Sequence, residues 1–106
     1  MSGSHVIHVD DSNFDAVVLG SQQPFLLDFS ATWCGPCRAI EPVLERMAAE
    51  NQGAFVVGKV DIDASPGVAM RYAVRGAPTL IVFRDGQEVR RRLGAGSKST
   101  LLELMR

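Results

Sequence analysis

Apolar positions along this chain fall into short runs split by polar punctuation, and the period of each run assigns an element. Val6 to Val9 predicts a short strand. Phe14, Val17 and Val18 form one face of a helix ending near Gly20. Ahead of them, Ser12-Asn13-Phe14-Asp15 has the form of a capping box, in which the Ser12 hydroxyl and the Asp15 carboxylate satisfy free amides. Phe25 to Phe29 is almost continuously apolar, the pattern of a strand covered on both faces. From Arg38 to about Glu50, residues Ile40, Val43, Leu44, Met47 and Ala48 recur on one helical stripe. Pro42 predicts a kink inside that helix, and Gly53 predicts its stop.

Ala54 to Val60 predicts another buried strand. Ser65-Pro66 predicts a capped helix start with proline in the first turn, and Val68, Ala69 and Tyr72 supply its inner face. Thr79 to Phe83 and Glu88 to Leu93 predict two strands joined at Asp85-Gly86, a strong hairpin signal because both residues tolerate positive φ. Ser97 predicts the cap of a short last helix with Leu101, Leu104 and Met105 inward. Strands and helices alternate until the final hairpin. The alternation predicts parallel strands with right-handed crossovers, and the hairpin adds an antiparallel edge. The expected class is α/β, a mixed sheet with helices on both faces, in one domain covering residues 1–106.

Composition changes this picture little. With 106 residues, 46% of them hydrophobic and 22% charged, the chain has the profile of an ordinary globule able to bury its own core. The net charge of −1 gives no reason to expect nucleic acid as a partner. The charge is uneven, −5 over residues 1–53 and +4 over residues 54–106. Two interleaved halves with charges facing solvent account for that. No apolar run is long enough to predict a membrane span, and Met1-Ser2-Gly3-Ser4-His5 lacks the basic start and apolar segment of a secretory signal. A cytoplasmic monomer is expected.

Chemistry concentrates at Trp33-Cys34-Gly35-Pro36-Cys37. Residues three apart on a helix are neighbours, at a separation a disulfide can bridge. If the motif opens the long helix, Cys34 lies at the positive helix end, where free amides stabilise a thiolate. Cys34 is then the nucleophile, and Cys37, one turn inside, the resolving thiol. Pro36 suits the first turn, and Gly35 removes bulk beside the sulfurs. Asp28 interrupts an apolar strand a few residues earlier. Lost solvation raises the pKa of such an acid, and it could take the proton from Cys37, directly or through water. Lys59, in mid-strand, is a candidate counter-charge. Alternatively, Asp28 bonds to backbone and Lys59 reaches out to solvent.

These residues resemble the thioredoxin family. The similarity spans nearly the whole chain: Leu27-Asp28-Phe29, Trp33 to Cys37, Lys59-Val60-Asp61, Val74-Arg75-Gly76-Ala77-Pro78-Thr79, Asp85-Gly86 and Gly94-Ala95. The resemblance implies a five-stranded mixed sheet flanked by four helices, and a cis Pro78 facing the cysteines. It also implies that the Ala77 backbone pairs with the substrate, on an apolar docking surface of Trp33, Gly35, Pro36, Gly76, Pro78 and Gly94. Its expected activity is reduction of protein disulfides with no bound cofactor. Electrons would come from NADPH through a thioredoxin reductase. Two departures stand out. Ser30 replaces the tryptophan of many bacterial members, and Ala77 replaces a bulkier residue, which puts substrate grip in question.

Three other readings compete. An oxidase or isomerase on the same fold usually carries histidine between its cysteines, whereas Gly35-Pro36 adds no charge. A zinc site built from His5, His8, Cys34 and Cys37 has the right ligand tally, but strand alternation puts residues 5 and 8 on opposite faces. A docking subunit of a larger assembly stays open as an additional role. Asp61 and Asp63 read as turn and cap residues, and Arg90-Arg91-Arg92 as charges that protect an edge strand.

Overall fold

The computed structural model describes residues 4–106, so Met1, Ser2 and Gly3 of the segment read for secretory character lie outside the described residues. Its strands are β1 (Ile7–Val9), β2 (Phe25–Ser30), β3 (Val56–Asp61), β4 (Thr79–Arg84) and β5 (Gln87–Leu93). They form one sheet in the order β1-β3-β2-β4-β5. β1, β3 and β2 run parallel, while β4 is antiparallel to both β2 and β5. The helices are a π-helix at Asp15–Leu19, then α1 (Gly35–Glu50), α2 (Pro66–Arg71) and α3 (Lys98–Glu103).

Strand alternation divides the core into two layers. Phe25, Leu27, Phe29, Ile81 and Phe83 pack with Phe14 and Val18 of the π-helix region and with Val68 and Ala69 of α2. On the other face Leu26, Val57, Leu80 and Val82 pack with Ile40, Leu44 and Met47 of α1 and with Leu101 of α3. Every residue of β2 is buried. Asp28 shares a strand face with Leu26, so it sits under α1.

The expected elements are all present, with adjusted ends. α1 starts at Gly35 rather than Arg38, because Cys34 caps it, and it runs on through Pro42. β3 starts two residues late, because the Ala54 and Phe55 amides turn back to the Asn51 carbonyl. The hairpin turns through Asp85 and Gly86 with φ of 52° and 77°, the positive values that the pair was expected to accommodate.

Two caps differ from expectation. The Ser12–Asp15 capping box does not form. The Asp10 carboxylate instead accepts the amides of Ser12 and Asn13, at 2.9 Å each, and Asp15 pairs with Arg71. At α2 the Ser65 side chain makes no capping bond. Asp11, far away in sequence, accepts from the Gly67 and Val68 amides at 3.0 and 2.8 Å. A carboxylate placed by tertiary structure has displaced the local hydroxyl. The Ser97 cap of α3 forms as expected, with Oγ accepting from the Thr100 amide.

The uneven charge resolves into ion pairs across the two halves: Asp15–Arg71, Glu41–Lys59 and Glu50–Lys98. Arg90, Arg91 and Arg92 lie on edge strand β5 and also donate to the carbonyls of Glu103, Tyr72 and Ala95. No helix among the described residues is long and apolar enough to cross a membrane.

Candidate functional site

Strand pairing brings three loops to one end of the sheet. β2 rises to Ser30 and passes into the Ala31–Trp33 loop ahead of α1. β4 runs the other way, so its first residue, Thr79, stands beside Phe29 of β2 and Leu93 of β5. The Cys34 turn, the Ala77-Pro78 loop and Gly94 therefore meet.

Cys34 and Cys37 form a disulfide with their Cα atoms 5.3 Å apart. Cys34 has extended backbone angles and caps α1, and its Sγ accepts the Cys37 amide at 3.1 Å. The same sulfur lies 3.4 Å from the Ala77 carbonyl oxygen. Cys34 keeps 3% exposure and Cys37 none, which matches the expected order of outer and inner thiol by a small margin. The Ala77-Pro78 bond is cis. The Gly94 amide donates to the Pro78 carbonyl at 2.8 Å and ties the end of β5 to this loop. Gly94 has φ of 102°, a conformation that side chains disfavour.

Around the sulfurs, Gly35 faces open space. Trp33 is 65% exposed, and its indole N–H donates to Asp63 at 2.8 Å. Leu93, 70% exposed, stands over Gly76, where an added Cβ would come within 3.2 Å of its Cδ1. Two large exposed apolar groups therefore flank the disulfide. Ser30 is buried and lines a cleft of about 170 Å³ with Ala31, Thr32, Arg38, Glu41, Lys59 and Asp61. A small residue at 30 is consistent with that open space.

Asp28 is fully buried, and among the described residues neither carboxylate oxygen has a hydrogen-bond partner. Burial pushes its pKa up to about 7; the Lys59 cation pulls it down and the Glu41 anion pushes it up. The alternative of a backbone-bonded acid is set aside by those unpartnered oxygens. Lys59 is opposite Asp28 in the β2–β3 register, yet its ammonium pairs with Glu41. The structure thus brings Cys34, Cys37, Trp33, Gly35, Pro36, Gly76, Ala77, Pro78 and Gly94 together at one surface. Asp28 is buried without a hydrogen bond to either sulfur, and Lys59 pairs with Glu41.

Sequence reasoning missed three residues here. Asp63, read as a turn residue, holds Trp33. The pattern marks Leu93 only as the end of a strand; its signal is a large apolar side chain just before Gly94. Glu41 went unmarked, although it is four residues after Cys37 on the same helix edge. The four-ligand zinc arrangement does not assemble. His5 pairs with Glu45, His8 is nearest to Asp10, and no group of three or more metal-binding side chains converges among the described residues.

Comparison with known proteins agrees with this geometry. The family model described as thioredoxin matches residues 5–106. The chain is 48% identical over 99 residues to a thioredoxin of Mycobacterium tuberculosis, covering 93% of this chain and 85% of that protein. It is 45% identical over 100 residues to a thioredoxin of Staphylococcus aureus, covering 94% of each. A bifunctional thioredoxin reductase/thioredoxin of Mycobacterium leprae is 47% identical over 96 residues, which are 91% of this chain and 21% of that longer protein.

Proposed function

We propose, on the premise that this chain belongs to the thioredoxin family and is a thiol–disulfide oxidoreductase, that it reduces protein disulfides with Cys34 attacking and Cys37 resolving. The observation that carries this assignment is the position of Cys34 as the cap of α1, its sulfur facing the Cys37 amide and the Ala77 carbonyl. In the reduced protein that amide and the helix end stabilise a thiolate on Cys34.

The thiolate attacks one sulfur of a substrate disulfide. A Cys34–substrate disulfide forms, and the other substrate sulfur leaves as thiolate and takes a proton. Cys37 then loses its proton and attacks the Cys34 sulfur. The Cys34–Cys37 bond forms as the second substrate thiolate departs. Two electrons move from the protein dithiol to the substrate. Asp28 accepts the Cys37 proton, directly or through water from the adjoining cleft. The substrate chain lies along the Ala77 backbone, between Trp33 and Leu93, with Gly35, Pro36, Gly76, Pro78 and Gly94 leaving room for its approach.

An NADPH-fed thioredoxin reductase restores the dithiol. The pairing of the two activities in the name of the Mycobacterium leprae relative supports that partner. The setting is a reducing compartment, taken to be the cytoplasm, with the chain working as a monomer and without metal or bound cofactor.

Cys37→Ser tests the division of labour. Mixed with a disulfide-bonded protein such as insulin, the reduced variant is expected to accumulate a covalent adduct through Cys34, visible on a non-reducing gel and lost in Cys34→Ser/Cys37→Ser. Equal trapping by Cys34→Ser alone would overturn the division of roles, and trapping by Cys34→Ser in excess of Cys37→Ser would reverse it.

A further inference from the structure

Glu41 has no part in the proton path described above, yet it occupies a controlling position. It lies one turn beyond Cys37 on α1 and takes the Lys59 ammonium in an ion pair. Lys59 is the residue opposite Asp28 across the β2–β3 pairing. The Asp28 oxygens have no hydrogen-bond partner among the described residues, so the cation opposite them in the register is paired with Glu41 instead. Two neighbouring clefts, of about 470 and 170 Å³, share Arg38, Glu41 and Lys59 in their walls. The smaller one also reaches Ser30, two residues beyond Asp28 on the same strand face. The Glu41–Lys59 pair therefore lines both clefts, with both side chains reaching solvent.

We propose that Glu41 is a positioning residue that holds the Lys59 ammonium on the solvent side and so keeps it from pairing with Asp28. The proposal rests on Asp28 being the proton acceptor named above. The competition has a physical basis. Pairing with Asp28 would strip water from the ammonium, whereas Glu41 offers an anion while both side chains stay about 40% exposed (40% and 44%).

Other charged groups near Asp28 are committed elsewhere. On α1, Arg38 donates to the Thr32 carbonyl. On β3, Asp61 accepts the Asp63 and Ala64 amides. On β1, His8 stands opposite Lys59 and is nearest to Asp10. On β4, the residue opposite Asp28 is the apolar Leu80. The cysteines are joined and do not titrate. That leaves Lys59 and Glu41 as the charges that set Asp28, the cation lowering its pKa and the anion raising it.

The test follows the Asp28 carboxyl carbon by NMR from pH 4 to 10 in the oxidised protein, where the cysteines are silent. Four proteins are compared: the parent, Glu41→Ala, Lys59→Met and the double variant. Glu41→Ala is expected to lower the Asp28 midpoint by about one unit, the low end of the range for an acid gaining a nearby cation. Lys59→Met is expected to raise it. In the Lys59→Met background, Glu41→Ala should shift the midpoint by less than half as much, since no ammonium remains to be released. An unmoved midpoint in Glu41→Ala, or an equal shift in both backgrounds, would overturn the proposal.

A second readout separates this from the catalytic assignment. Reduced protein is mixed with dithionitrobenzoate, and the second thionitrobenzoate released reports attack by Cys37. If the carboxyl midpoint moves in Glu41→Ala and the pH profile of that phase moves with it, both assignments stand. If only the carboxyl moves, Glu41 still holds Lys59, and Asp28 loses its part in resolution.

Discussion

Replacing Asp28 with asparagine should make the protein more stable, and more so the higher the pH. The carboxyl moves from an ordinary 3.8 to about 7 on folding, chiefly through burial. Between those values the folded state holds a proton that the unfolded state has lost. Stability therefore falls as pH rises through that window, and the loss is complete above about 7. At 1.36 kcal/mol per pKa unit, the full penalty is about 4 kcal/mol. Asparagine never ionises and leaves its polar atoms as poorly partnered as the protonated acid does. The expected gain is thus about 1–2 kcal/mol at pH 5 and about 2–4 kcal/mol at pH 8, with the lower figures allowing for relaxation around the carboxylate.

Guanidinium unfolding of the two oxidised proteins at pH 5 and pH 8 measures this. On the proposed role of Asp28 as acceptor of the Cys37 proton, the same variant should release the mixed disulfide more slowly at neutral pH. A gain that is equal at both pH values, or absent at pH 8, would refute the claim that burial drives the Asp28 pKa.

Two further outcomes are expected. Asp11→Ala removes the carboxylate that caps α2 at Gly67 and Val68; it should cost about 1 kcal/mol in the same unfolding assay with turnover unchanged. Asp63→Ala frees the Trp33 indole from its 2.8 Å bond; losing about 0.5–1 kcal/mol of positioning should raise KM for a protein disulfide about 2–5-fold with kcat held, as steady-state kinetics will show.

What the sequence made legible was whatever is encoded over a few neighbouring residues. The strand periods, the α1 stripe and the Asp85-Gly86 turn all place their elements within a few residues of where they lie. Cys34, Cys37 and the buried Asp28 were legible for the same reason, since each stands in a local pattern that it either completes or breaks. The misses share the opposite property. The cap on α2 comes from Asp11, 56 residues before Gly67, so no local reading of Ser65-Pro66 could find it. Asp63 meets Trp33 from 30 residues away. The mid-strand position of Lys59 makes it a candidate counter-charge for Asp28; the register places them opposite, while the helix above supplies the Glu41 that takes the ammonium. The departures at Ser30 and Ala77 were visible as letters, but only the fold shows Ser30 in the wall of a cleft and Ala77 with its carbonyl 3.4 Å from the Cys34 sulfur.

Electrons are expected to flow from this dithiol to substrate disulfides, and the reduction potential of the Cys34–Cys37 pair decides whether they do. Equilibration with a glutathione buffer, followed by quantifying dithiol and disulfide, gives that value. With Gly35 and Pro36 adding no charge between the sulfurs, the account predicts about −270 mV, the region of a disulfide reductant. A value about 100 mV or more higher, towards the isomerases and strong oxidants near −180 to −120 mV, would contradict it and make the protein a donor of disulfides instead.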